Sequence, residues 1–140
     1  LFSFYRDRPL EVEKIALFFP SGNLNARDGL HRRAQACARV QERIHSLPVT
    51  MAVSASRNME ITGEGVNKGT GLKLLCGHLG LPLSQTAAVG DGENDRELLR
   101  LAGLAVAMEN ASASIRAAAA VTVPDCDHDG AAVAMERYML

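Results

Sequence analysis

Apolar positions in this chain change texture near its middle. From Val12 to Phe19 (VEKIALFF), the residues Val12, Ile15, Leu17 and Phe19 predict a strand, which Pro20, Ser21, Gly22 and Asn23 break. From about Asn25 to Ser46 the apolar residues advance by threes and fours through Leu30, Ala34, Cys37, Val40 and Ile44 to Leu47. That spacing predicts an amphipathic helix, which Pro48 stops. Val49–Ser54 and Asn58–Thr62 then alternate as two short strands, and Ala55-Ser56-Arg57 between them suggests a hairpin. Residues 1–10 show no period and read as a strand or a linker.

The stretch Gly63-Glu64-Gly65-Val66-Asn67-Lys68-Gly69 is the most glycine-dense in the chain and is the expected domain boundary. Past it, a helix from about Lys68 to Leu79 places Leu72, Leu75, Cys76 and Leu79 on one face and ends at Gly80 and Pro82. Strands are predicted at Thr86–Val89, Leu104–Met108 and Val121–Val123. Helices are predicted at Arg96–Leu101, about Ser112–Ala119 and Gly130–Tyr138. Strands without polar alternation, separated by short helices, imply a parallel sheet covered on both faces. The expected fold class is therefore α/β, with residues 1–62 as a first unit (strand, helix, hairpin) and 63–140 as a second.

Composition narrows the function classes. With 47% hydrophobic residues among 140, the chain can bury a core. A net charge of -1 gives no general pull toward nucleic acid or a membrane surface. Arg27, Arg32, Arg33, Arg39 and Arg43 on the first helix have no interleaved aromatics and read as a solvated face. Cys37, Cys76 and Cys126 form no CxxC, which argues against a disulfide framework or a zinc site and points to a reducing cytoplasm. No apolar run approaches the roughly 18 residues that a membrane span needs.

Candidate chemistry gathers at TAAVGDGENDRE, residues 86–97. A short apolar strand ends at Gly90, and Asp91, Glu93, Asn94 and Asp95 follow within five positions. Acids at a helix start answer the macrodipole and cap it, but one or two suffice for that. Asp91 and Asp95, four apart, could aim at one point, and Mg²⁺ takes one or two carboxylates plus waters and phosphate oxygens. Asn94 and the free N–H groups of the helix start could hold a phosphate oxygen. Lys68 stands at the wrong end of its helix dipole, which makes sense if a phosphate or a carboxylate lies in front of it.

Taken in order, GVNKGTGL, AVGDGENDREL, LAVAMENA and DHDGAAVA resemble the haloacid dehalogenase-like phosphatases, and most of all their Cof-like subgroup with an inserted α/β cap. The resemblance is close over residues 58–140 and loose over 10–57. It implies that residues 63–140 are the second half of a Rossmann-like core, with part of the cap before it. It also implies phosphoryl transfer through an aspartyl-phosphate on small phosphorylated metabolites such as sugar phosphates, with Mg²⁺ as cofactor and no nucleic-acid or membrane partner. Lys68 would neutralise the phosphoryl group, Asp91 and Asp95 would be the metal carboxylates, and Asn94 would contact phosphate. Gly90, Gly92 and Asn110 would support them.

The family's attacking aspartate lies in an Asp-x-Asp motif that nothing in residues 1–57 matches. The expectation is a chain inactive by itself; the alternative is a non-catalytic module that binds Mg²⁺ or phosphate, or self-associates through an incomplete sheet. Residues 125–136 also fit a calcium-loop pattern through Asp125, Asp127, Asp129, Gly130 and Glu136. A strand and Pro124 lead into it where a helix is required, and the resemblance implies instead a turn capping the last helix, with His128 expected on its surface.

Overall fold

The computed structural model describes residues 12–18, 26–53 and 58–140, without the side chains of residues 26–30, 33 and 53. Expectations for residues 1–10, for the break at 20–23 and for the hairpin turn at 55–57 lie outside them. Two three-stranded sheets result, ordered β1-β3-β2 and β4-β5-β6. In the first, β1 (Lys14–Phe18) and β2 (Val49–Val53) pair antiparallel with the central β3 (Asn58–Gly63), and helix α1 (Ala26–Ile44) lies between β1 and β2 in sequence. Cys37, Val40 and Ile44 are its half-buried stripe, while Arg32, Arg39 and Arg43 are exposed. Among the described side chains of the first sheet, Met59 is the fully buried one.

The glycine-dense stretch is pinned at both ends. Gly65 N–H donates to Thr50 Oγ1 at 2.9 Å, and the Thr62 hydroxyl donates to Val66 O at 2.8 Å. On the other side, Thr70 Oγ1 donates to Gly65 O at 2.9 Å. Asn67 then starts α2 (Lys68–Leu79) through a reciprocal box: its side chain accepts from Thr70 N–H and its own N–H reaches Thr70 Oγ1, each at 3.0 Å. This places Lys68 on the first turn of α2.

The second sheet is parallel and is built in strict alternation: β4 (Ala87–Gly90), α3 (Arg96–Leu101), β5 (Leu104–Met108), α4 (Ala113–Ala118), β6 (Val121–Val123), α5 (Gly130–Tyr138). The central strand β5 explains why no polar alternation appears in the sequence. Ala105 and Ala107 pack with Leu99 and Ile115 in one cluster, while Val106 packs with Val123 and Ala134 in another. Among the described residues β4 pairs only with β5. One expectation fails on α2: Cys76 is buried, but Leu75 and Leu79 are 54% and 57% exposed. Periodicity placed them on a common face, yet α2 packs on α3 through its buried Gly69 and Cys76.

The turn after β6 is entered by a strand, as the reading against a calcium loop expects, and it closes on itself. Asp125 accepts from Asp127 N–H at 3.1 Å, and His128 Nδ1 lies 2.5 Å from Asp125 Oδ1. The Asp125 hydrogen bond raises the His128 pKa above 6.5, and His128 in turn lowers that of Asp125 below 3.8. The histidine contribution is complete below pH 6.5 and fades as pH climbs through its raised value. The aspartate contribution is present above pH 3.8 and is lost as pH falls through its lowered value. His128→Ala should therefore lower the thermal midpoint slightly, and only between those limits. A wild-type minus variant difference that stays flat from pH 3 to pH 9 would refute the pairing.

Candidate active site

Strand β4 delivers its carboxyl end at Gly90, and the chain turns there into a short 3-10 segment, Glu93–Asp95, before α3. Asp95 is 4% exposed, the buried charged residue of the described structure. Its Oδ2 accepts from Asp91 N–H at 3.1 Å and from Gly92 N–H at 2.9 Å, so it closes the loop and does not cap its own helix. A Cβ on Gly90 would lie 2.6 Å from Asp95 Cβ, which is why glycine ends the strand.

Lys68 completes the centre from 27 residues away. Its Nζ donates to Asp95 Oδ1 at 2.5 Å, with half of the lysine side chain exposed. The anion in front of the misplaced helix lysine is thus a carboxylate. The approach depends on Gly69, where a Cβ would stand 2.8 Å from the Glu97 carbonyl oxygen. Any side chain there would separate the N-termini of α2 and α3.

Asp91, by contrast, is exposed, and its Oδ2 accepts from Asn110 Nδ2 at 2.9 Å. Its Oδ1 has no hydrogen-bond partner among the described residues. Asn94 is half-buried on the wall of a cleft of about 410 Å³, together with Lys68 and Glu93; Lys14, Thr50 and Thr62 of the first sheet face them. That volume suits a small ligand. The structure therefore brings Lys68, Gly90, Asp91, Gly92, Asn94, Asp95 and Asn110 around the end of one strand.

One part of this network was missed at the level of sequence. Glu93 Oε1 accepts from the hydroxyls of Ser112 and Ser114, each at 3.0 Å, and its Oε2 accepts from Arg96 Nε at 3.1 Å. The Arg96 hydrogen bond, aided by both serines against the opposing effect of partial burial, holds the Glu93 carboxyl below its usual 4.5. Glu93 thus fastens the acidic loop to the start of α4 and is not a spare ligand. Arg96, three residues on, was the visible half of that arrangement. The serines stand 19 and 21 residues away. Among the described residues no three His, Cys, Asp or Glu side chains gather where a metal could be held.

Residues 22–135 match the family described as haloacid dehalogenase-like hydrolase. Among curated proteins, the chain is 45% identical over 80 residues to the chloroplastic endoribonuclease YBEY of Arabidopsis thaliana, covering 57% of this chain but 14% of that protein. It is 42% identical over 85 residues to phosphatase YwpJ of Bacillus subtilis, covering 60% and 30%. A haloacid dehalogenase-like hydrolase structure from B. subtilis superimposes with a TM-score of 0.75 at 33% identity, covering 99% of this chain and 44% of that one. A subclass IIB sugar phosphatase structure superimposes with a TM-score of 0.66 at 29% identity, covering 72% and 39%. The chain spans less than half the length of each of these proteins.

Proposed function

The chain belongs to the haloacid dehalogenase-like hydrolases, its fold that of their Cof-like phosphatases, and we propose that it forms the lysine- and metal-bearing part of a Mg²⁺-dependent phosphomonoesterase. Its substrates in that reading are small phosphorylated metabolites, sugar phosphates among them. Residues 63–140 supply half of the core and residues 1–62 part of a cap. The observation that carries the reading is the meeting of Lys68, Asp95 and Asp91 at the end of a parallel strand, with Lys68 also on the wall of a cleft sized for a small ligand.

In a phosphatase each of these residues has work that suits its surroundings. Lys68 keeps half of its side chain exposed while Asp95 fixes its position, so it can offset charge on a bound phosphoryl group. Asn94 can donate an amide N–H to a phosphate oxygen. Asp91 offers one carboxylate oxygen without a partner among the described residues, a donor count that suits Mg²⁺ when waters and phosphate complete its shell. Asp95 is the second carboxylate expected at the metal; with both oxygens engaged as they are here, it would act there through Lys68 and the loop backbone. Bound Mg²⁺ would screen the phosphate dianion from an approaching nucleophile. The three cysteines are free thiols, which supports a reducing, cytoplasmic setting. No described helix is long and apolar enough to cross a membrane.

The attacking carboxylate, in this reading, comes from outside these 140 residues. The chain should then show no Mg²⁺-dependent turnover of p-nitrophenyl phosphate. Turnover abolished by Asp91→Ala would overturn that claim.

A second reading, a non-catalytic module that self-associates, is favoured by β4, which pairs only with β5 among the described residues, and by Leu74, Leu75, Leu79 and Leu81, each at least 45% exposed. A monodisperse monomer in size exclusion of the same sample would remove it.

A further inference from the structure

Asn110 lies in the turn between β5 and α4, at an exposed position where an asparagine commonly bonds its own backbone or water. Among the described residues its side chain does not bond its own backbone. Its Nδ2 reaches across 19 residues to Asp91 Oδ2 at 2.9 Å. A carboxylate can only accept, so the amide must present its NH₂.

The backbone around Asn110 is over-determined. Glu109 N–H donates to Val123 O at 2.9 Å, and Ala111 N–H donates to Met108 O at 3.0 Å. Arg116 reaches back from α4 and its Nη1 donates to Glu109 O at 2.8 Å and also to Ala111 O, the carbonyls flanking Asn110. Ala111 is itself buried in the core. The donor is therefore held in place before any ligand arrives.

The two carboxylates of the loop are treated differently. Asp95 is paired with a cation, Lys68, whereas the Asp91 side chain receives a neutral amide and has no cationic partner among the described residues. A hydrogen bond on one oxygen stops the carboxylate from rotating and leaves the other for a cation. Outer partners of this kind change metal affinity 10–100-fold.

We propose that Asn110 is a positioning residue that orients Asp91 and thereby sets the affinity of this loop for a divalent cation. The proposal rests on the reading of Asp91 as the cation's carboxylate. The experiment titrates the ¹⁵N-labelled chain with Mn²⁺ and follows paramagnetic broadening of its amide signals. Wild type should broaden first across Gly90–Asp95, and Asp91→Asn should abolish the effect. Asn110→Ala and the similarly sized non-donor Asn110→Leu should each bind roughly tenfold more weakly. Both should keep the wild-type thermal midpoint, as substitutions at exposed positions do. Wild-type affinity in both Asn110 variants, with binding still lost in Asp91→Asn, would overturn the positioning role. Broadening that survives Asp91→Asn, or is absent from wild type, would instead sink the cation reading on which it rests.

Discussion

Gly130→Ala is expected to lower the unfolding free energy by about 3 kcal/mol, the upper part of the range for overpacking a buried site. A Cβ at this position would lie 1.8 Å from the Pro124 carbonyl oxygen, 2.7 Å from its carbon and 3.0 Å from the Asp125 carbonyl oxygen. All three are backbone atoms, so no side-chain rotation relieves the overlap. Nor is the turn free to move. Gly130 N–H donates to Asp125 O at 3.0 Å, and Asp129 already occupies the left-handed region at φ 54. To admit a methyl group the turn must open, pulling α5 and its buried Ala134 away from Val106 and Val123. A fall of about 10 °C in the thermal midpoint follows for a chain of this size. A midpoint within about 2 °C of wild type would show that the turn is looser than the close contact requires.

Asp95→Ala should cost a similar amount, about 3 kcal/mol, by a different route. The substitution leaves the N–H groups of Asp91 and Gly92 without their acceptor and Lys68 without its counter-charge. Hydrogen bonds to a charged group contribute roughly 1.5–3 kcal/mol each, and breaking a buried pair costs roughly 3–5 kcal/mol. Lys68 is half exposed, so solvent screens its share and the lower end applies. Asp95→Asn keeps an acceptor for the backbone and should recover part of the loss. Lys68→Met should cost less than Asp95→Ala, since the loop N–H groups still hold the carboxylate. Urea denaturation of the two singles and the double completes the cycle, with a coupling of about 1–2 kcal/mol expected. Strict additivity would mean that the ion pair contributes nothing to the folded state.

Local signals in the sequence were enough for most elements. Gly80 and Pro82 end α2, and the wholly apolar run at 104–108 marks a strand buried on both faces. Lys68 was legible as an anomaly because a cation on a first helical turn faces the positive end of the dipole. Its partner was not legible, since a phosphate and a carboxylate answer that anomaly equally well. The role of Glu93 was not legible for a related reason. Its acidity was visible, while the two serines that use it stand on another element.

By itself, then, the sequence determined the alternation of strands and helices, the acidic loop at the end of β4 and the odd placement of Lys68. Each depends on residues within about four positions of one another, where periodicity and capping operate. The tertiary structure alone decided that Asp95 takes Lys68 and the loop N–H groups, that Asp91 takes Asn110, and that Leu75 and Leu79 stay uncovered. Those outcomes follow from strand register and helix approach. Gly90 stands opposite Ala107, which levels the ends of β4 and β5 and lets Asn110 meet Asp91. The missing side chain of Gly69 brings α2 close enough for Lys68 to reach Asp95.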